Sequence, residues 1–288
     1  MTPTDTIPSP PPAFLVRRLV EAALEEDLGR GDVTTQACVP PQLQGCAVLV
    51  ARQPLVLSGL SVFEAAFAAV DVRLRVEPLA SDGQRLARGA VAARVRGPSA
   101  SILQGERVAL NFVQRMSGVA TKARAYVEAL PPGSRTRIAD TRKTTPGLRA
   151  LERYAVRCGG AHNHRDDLSS AVLIKDNHIA ACGGVSIAIA RARAHAPHTS
   201  RVECEVDSLA QLGEALRAGA DVVLLDNFDD ATLAEAVRLV AGRALIEVSG
   251  GVTLERIGVI AAAGVDVISS GALTHSAPAV DLALDWEP

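Results

Sequence analysis

Residues 202–251 read VECEVDSLAQLGEALRAGADVVLLDNFDDATLAEAVRLVAGRALIEVSGG. Short β-branched runs (VECEV, VVLLD, LIEVS) each end in polar or glycine residues, and alanine-rich stretches with helical spacing separate them. The same rhythm continues into VDVISSGA at 265–272, and it begins earlier in RIADTRK at 137–143 and AVLIKDN at 171–177. Counted at Glu205, Asp226, Ser249 and Ser270, the last four polar strand ends are 21, 23 and 21 residues apart, the length of one βα unit. Evenly spaced parallel strands with functional groups at their C-terminal ends specify an α/β protein built as a β/α barrel. A doubly wound sheet is the competing architecture, but its GxGxxG turn is absent from the sequence.

Upstream of this region the pattern changes. Phe14 to Leu28 carries apolar residues at 15, 16, 19, 20, 23, 24 and 28, one face of an amphipathic helix. Between Gln44 and Gly97 lie strand-like runs (CAVLVA, LVLSG, VRLRVEP, AVAARVRG), a turn at Asp82-Gly83 and a helical insert near Val62 to Val70. This half reads as a small α+β domain. A long helix is expected from a cap at Ser99 or Ser101, with Gly118 as its stop. The expected division is a tail over 1–13, an N-terminal domain over 14–116, and a barrel over 117–288 whose C-terminal tail is able to pack back on the N-terminal domain.

Composition narrows the function. The chain has 288 residues, 48% of them apolar but only 3% aromatic, enough for a sizeable core of Ala, Val, Leu and Ile. A formal net charge of -2 argues against a nucleic-acid binder or a polybasic membrane-surface protein. The longest uncharged stretch, Val33 to Ala51, is broken by Pro40 and Pro41, so no spanning segment is expected. The opening residues MTPTDTIPSPPPA lack a signal peptide's basic and apolar regions. Five cysteines form no CxxC pair, which suits a reducing cytoplasm.

Charge is segregated along the chain. From Arg135 to His178 there are nine Arg and Lys against five Asp and Glu, and the groups include Arg142, Lys143, His162, His164, Arg165 and Lys175. Several sit at barrel strand ends or in the loop after Gly159-Gly160, so they can converge on one polyanionic ligand. Arg149, Arg153 and Arg157 recur every four residues on a helix expected from Pro146 to Gly159, and read as a solvated stripe. Only three of the 30 basic residues are lysines, Lys122, Lys143 and Lys175; the latter two occupy TRKTTPG and LIKDNH, where a compact ammonium is needed. The glycine-rich ends VSGG and SSGALTHS lie on the last two strands, where barrels place a phosphate; Ser249, Gly250, Gly251, Gly271 and His275 belong to them. Glu205 and Asp226 end consecutive strands and are candidates for Mg²⁺ or for acid–base work, with an ion pair to Lys143 or Lys175 as the structural alternative. Glu203 and Asp207 alternate with Glu205, and spacing alone does not choose among the three.

Longer blocks carry a resemblance: EDLGRGDVTT (26–35), ERVALNFVQRMSGVAT (106–121), DTRKTTPGLRALERYAVRCGGAHNHR (140–165), LIKDNH (173–178), ECEVDS (203–208), LLDNF (224–228), EVSGG (247–251) and GALTHS (271–276). In this order, over nearly the whole chain, they resemble the quinolinate phosphoribosyltransferase family. The resemblance implies the type II phosphoribosyltransferase fold: an N-terminal open-faced sandwich and an incomplete α/β barrel, in a homodimer that completes each active site. It implies Arg142, His164, Arg165 and Lys175 as the pocket for the two carboxylates of quinolinate, with Arg107 reaching across from the partner subunit. Lys143, Glu205 and Asp226 are implied near the ribose, pyrophosphate and Mg²⁺, and Ser249, Gly250, Gly251, Gly271 and His275 at the 5-phosphate.

The implied reaction joins quinolinate to 5-phosphoribosyl 1-pyrophosphate and releases pyrophosphate and CO₂, giving nicotinate mononucleotide for NAD biosynthesis. Two positions depart from the family pattern: Ser170, where an aspartate is usual, and Ser270, where an apolar residue is usual. Alternatives are the similar paralogue associated with molybdenum transport loci, transfer to another pyridine acid, a Schiff-base aldolase using Lys175, and a regulatory barrel that binds a phosphometabolite without turnover.

Overall fold

The computed structural model describes residues 8–287, so the first seven residues of the expected 1–13 tail lie outside the described residues. The chain divides into two units. The first holds the described residues up to Arg124, together with Thr144–Gly160 and those from Ala272 onward; the second holds Ala125–Lys143 and Ala161–Gly271.

In the first unit α1 (Ala13–Leu28) buries Val16, Val20 and Leu24, a single i, i+4 stripe. It packs on α3 (Leu60–Val70), after a short α2 (Val33–Cys38) capped by Asp32. The antiparallel sheet runs in the order β12 (Leu282–Glu287), β1 (Gln44–Ala51), β5 (Val91–Pro98), β3 (Arg75–Pro78). A separate ribbon joins β2 (Leu55–Val56) to β4 (Arg85–Leu86). The core of this unit includes the edge-to-face pair Phe63 and Phe67, with ring centroids 5.0 Å apart. The first residue flanking α3 is Gly59, which has no side chain to cap the helix. Asp82 of the Asp-Gly turn does this from a distance: its carboxylate accepts the Gly59 and Leu60 amides at 3.0 and 3.2 Å and the Tyr154 hydroxyl at 2.8 Å.

Two sequence expectations are corrected here. Helix α4 runs without interruption over Ser99–Glu128, through Gly118 rather than stopping there. A Cβ on Gly118 would lie 2.0 Å from the Pro278 carbonyl oxygen, so the glycine permits a close approach of backbone to the helix. Helix α5 spans Arg149–Cys158, and Arg153 on it is buried, not part of a solvated stripe. Its neighbour Glu152 is 1% exposed and accepts from the Arg115 guanidinium at 2.7 Å and from the Thr145 amide and hydroxyl at 3.0 and 2.8 Å. Four-residue spacing is shared by exposed and buried arginines, which is why it misleads.

The second unit is a six-stranded parallel sheet in the order β6 (Arg137–Ala139), β11 (Val267–Ser269), β10 (Leu245–Ser249), β9 (Val222–Asp226), β8 (Val202–Val206), β7 (Val172–Ile174). Helices α6 (Asp176–Cys182), α7 (Val185–His195), α8 (Leu209–Arg217), α9 (Asp230–Val240) and α10 (Ile257–Ala262) connect its strands, and α11 (Ala272–His275) follows in the first unit. Strands β7 to β11 are neighbours in chain order, and β6 joins the far edge. Among the described residues β6 and β7 do not pair, so the barrel is incomplete. Ser208 and Asp229 cap α8 and α9, turning the chain sharply after each strand end. Asp221 and Asp266, just before β9 and β11, accept the Val202 and Ile246 amides, each at 2.8 Å, and tie adjacent strands at the opposite end.

Candidate active site

Register determines which side chains share a face. Leu173 pairs with Glu203, Glu205 with Leu224, Leu224 with Glu247, and Asp226 with Ser249. Because successive residues of a strand alternate faces, Lys175, Glu205, Asp226, Ser249 and Ser269 share one face of the sheet near its strand ends, with Lys175 and Glu205 in register with Leu224 and Glu247 and the other three one pair further along. These five line a cavity of about 570 Å³ in the second unit, within the range of small-molecule sites. Arg142, Lys143, His164 and Arg165 line it as well, as do Leu168, Leu173 and Leu224. Arg142, Lys143, His164, Arg165, Lys175 and the two carboxylates therefore meet in one place, whereas His162 is not among the residues lining the cavity.

Each group is held differently. Lys143 is exposed, and its amide donates to the Thr141 hydroxyl at 3.1 Å. Arg165 donates through Nη1 to the Ala171 carbonyl at 3.1 Å; burial and then the neighbouring Arg142 draw its pKa below the usual arginine value. Two cations are thus pressed together in a partly desolvated wall, which favours an anion between them. Across the cavity the Lys175 ammonium is ion-paired with Glu205. The Asn227 side-chain amide donates to Asp226 Oδ2 at 2.8 Å.

His164 is fixed from every side. Asp140 is fully buried, and its carboxylate accepts the His164 amide at 2.7 Å and the Asn163 side chain at 2.6 Å. His164 Nδ1 accepts the Arg165 amide at 2.8 Å, while Nε2 lies 3.3 Å from Glu203 and 3.4 Å from Glu247. Both glutamates are buried. Their hydrogen bonds draw the imidazole pKa up to about 10, and burial raises that of Glu203. With Nδ1 accepting an amide, Nε2 is the ring nitrogen that faces the two acids. The three side chains offer ligand atoms that all lie within 4.8 Å of one another. Both ring nitrogens are therefore engaged by the protein itself.

The three acids spaced two apart at β8 differ in burial. Glu203 is buried beneath His164, Glu205 is half-buried and faces the cavity, and Asp207 is exposed beyond the strand end. After Ser249, Gly250 and Gly251 have φ of 77° and 56°, conformations that favour glycine. Gly271 closes the second unit. His275 and Arg107 belong to the first unit: His275 ends α11 with Nδ1 2.6 Å from the Ser276 hydroxyl, and Arg107 is exposed on α4. Of the two departures from the family pattern, Ser170 accepts the Asp167 amide at 2.9 Å, and buried Ser270 donates its amide to Ala139 at 3.0 Å.

Sequence reasoning missed Glu247, Ser269, Thr141 and the three leucines. Stepping back two residues from Ser249 gives Glu247, and stepping back two from Lys175 gives Leu173, so the strand period held the signal.

The family model for the quinolinate phosphoribosyl transferase C-terminal domain matches residues 119–285, and that for the N-terminal domain matches 32–117. The chain belongs to the quinolinate phosphoribosyltransferase family. It is 41% identical over 271 residues to the probable nicotinate-nucleotide pyrophosphorylase (carboxylating) of Bacillus subtilis, covering 94% of this chain and 93% of that one. It is 43% identical over 279 residues to the nicotinate-nucleotide pyrophosphorylase (carboxylating) of Mycobacterium leprae, covering 93% of this chain and 96% of that one. Among solved structures, NadC from Streptococcus pyogenes superposes with a TM-score of 0.93 at 42% identity, covering 98% of this chain and all of that one. The type II phosphoribosyltransferase fold expected from the motifs is the fold observed. A quinolinate phosphoribosyltransferase of this build keeps its cavity at the C-terminal ends of the parallel strands, where the βα loops converge.

Proposed function

We propose that this quinolinate phosphoribosyltransferase joins quinolinate to 5-phosphoribosyl 1-pyrophosphate, releasing pyrophosphate and CO₂ and forming nicotinate mononucleotide for NAD biosynthesis. The observation that carries this reading is a single cavity with Arg142, Lys143, Arg165 and Lys175 on its wall and Glu205 and Asp226 at its strand ends.

Arg142, Arg165 and Lys175 hold the two substrate carboxylates, and the leucines flank the ring. His164 contributes through its placement, since it is anchored between Asp140, Glu203 and Glu247 and shapes the wall beside Arg165. The ring nitrogen attacks the anomeric carbon as pyrophosphate departs, and Lys143 meets the charge that develops on the leaving group. Alkylation leaves the ring nitrogen cationic; the adjacent 2-carboxylate then leaves as CO₂, because the ring stabilises the electron pair left at that carbon, and that pair takes up a proton from water to give the C–H bond of the product. No protein nucleophile is needed.

Glu205 and Asp226 fit a hard cation. Both are oxygen donors at the ends of adjacent strands, and among the described residues each has one carboxylate oxygen without a hydrogen-bond donor. They would hold Mg²⁺, which when bound supplies positive charge against the pyrophosphate. Ser249, Gly250, Gly251 and Gly271 form the 5-phosphate cradle of the proposal. For His275, and for Arg107 acting from a partner subunit in a homodimer, the reading rests on the resemblance of their motifs alone. Among the described residues no helix is long and apolar enough to cross a membrane, and the proposed site of action is the cytoplasm. Incubating the purified chain with both substrates and Mg²⁺ tests the reading: nicotinate mononucleotide forms if it is right, and quinolinate is recovered unchanged if it is wrong.

A further inference from the structure

We infer that Asn227 is a positioning residue that fixes the Asp226 carboxylate in the cavity wall, and that Gly250 is bare so that two strand ends can close around it. The inference rests on the proposed function, because it assigns Asp226 to the phosphoribosyl donor's side of the site.

Asn227 follows the last residue of β9 and has φ of 57°, one of two non-glycine residues with positive φ among those described. Asparagine tolerates this conformation better than most residues. It has two further attachments. Its backbone amide donates to the Ser249 carbonyl at 3.1 Å, extending the contact between β9 and β10 past the end of the ladder. Its side-chain amide donates to Asp226 Oδ2 at 2.8 Å, leaving Oδ1 without a donor among the described residues.

Gly250 closes the arrangement from the neighbouring strand. A Cβ built there would lie 2.3 Å from Asn227 Oδ1, 2.7 Å from Asn227 Cγ and 2.9 Å from Asp226 Oδ1. A side chain at Gly250 would therefore push the ends of Asn227 and Asp226 aside, and φ of 77° at Gly250 itself also favours glycine. Arg256 braces the same two loops: its guanidinium donates to the Phe228 carbonyl at 3.3 Å and the Gly251 carbonyl at 3.4 Å, and pairs with Asp230 at 2.7 Å. The strand end that carries Asp226 and the glycine turn after Ser249 are thereby locked as one piece. A turn residue alone would need the backbone conformation but not the amide.

That difference supplies the test. Asn227→Gly keeps the backbone conformation and removes the amide; Asn227→Asp keeps the shape but places a second carboxylate where a donor stood. Thermal unfolding, steady-state kinetics for each substrate, and calorimetric binding of 5-phosphoribosyl 1-pyrophosphate without quinolinate are measured for both variants and the parent chain. Asn227→Gly is expected to melt within about 2 °C of the parent, since its φ suits glycine. Its KM and dissociation constant for the phosphoribosyl donor rise about tenfold, with KM for quinolinate changed by less than about twofold. Asn227→Asp loses more donor affinity than Asn227→Gly while remaining folded. Parental donor binding in Asn227→Gly would reduce Asn227 to a turn residue and overturn the inference, and so would equal losses for both substrates. Should Asn227→Gly fail to fold, the same comparison of substrates in Asn227→Asp decides. If the parent binds the donor but leaves quinolinate untouched, the proposed reaction fails while donor binding by the variants still tests Asn227.

Discussion

Replacing Arg165 by alanine removes one of the cations that the cavity presses together. Burial and then Arg142 work against the charge on Arg165, with Glu203 opposing them in part, so a carboxylate bound beside Arg165 is favoured. Two unit charges about 4 Å apart at an effective dielectric near 20 attract by roughly 4 kcal/mol. Desolvation of the carboxylate and of the partly buried guanidinium takes back part of this, leaving about 2–3 kcal/mol. At about 1.4 kcal/mol per factor of ten, KM for quinolinate should rise roughly 30- to 150-fold in Arg165→Ala. Turnover at saturation and KM for 5-phosphoribosyl 1-pyrophosphate should move by less than about threefold. Initial rates with each substrate varied in turn measure this, and calorimetric titration of quinolinate into the unreacted protein gives the affinity directly. Arg165→Lys should recover part of the loss, because charge returns without the planar fork. A variant with unchanged quinolinate affinity and collapsed turnover would refute the reasoning, for Arg165 would then act on the transition state and not on the bound acid.

Other expectations follow from the same geometry. Lys143→Ala should lower turnover by about 100-fold or more while leaving quinolinate affinity within about threefold, the opposite division to Arg165→Ala. Glu152→Gln leaves the partly buried Arg115 without its counter-charge and should cost roughly 3 kcal/mol of unfolding free energy, measured by denaturant titration. Gly118→Ala should destabilise by about 1–3 kcal/mol, because the new Cβ meets the Pro278 carbonyl oxygen, although alanine favours a helix interior by about 1 kcal/mol. A more stable Gly118→Ala protein would show that the close approach does not exist.

The repeated barrel units were legible because each strand is short, β-branched and terminated by polar groups, and because β7 to β11 pair in chain order. Lys175, Glu205, Asp226 and Ser249 were legible for the same reason, as strand ends of a parallel sheet converge. Local pattern fails where the cause is distant in the chain. Gly118 looks like a helix stop, yet its reason is a carbonyl 160 residues away. Arg153 looks solvated by spacing, yet α5 is buried on most of its circumference. His164 reads as a simple contributor to a cationic pocket until Glu203 and Glu247, from two non-adjacent strands, are seen to share its Nε2 side. Sequence spacing reports which face a residue occupies, not which neighbour meets it there.

Quinolinate carrying a labelled carbon only in its 2-carboxylate offers the most direct measurement. With Mg²⁺ and the phosphoribosyl donor present, the label should leave entirely as CO₂, one for each nicotinate mononucleotide formed, while label placed in the 3-carboxylate should remain in the nucleotide. Retention of the 2-label in a nucleotide product, or equal turnover of nicotinate without any CO₂, would contradict a pocket built to grip two acids and release one.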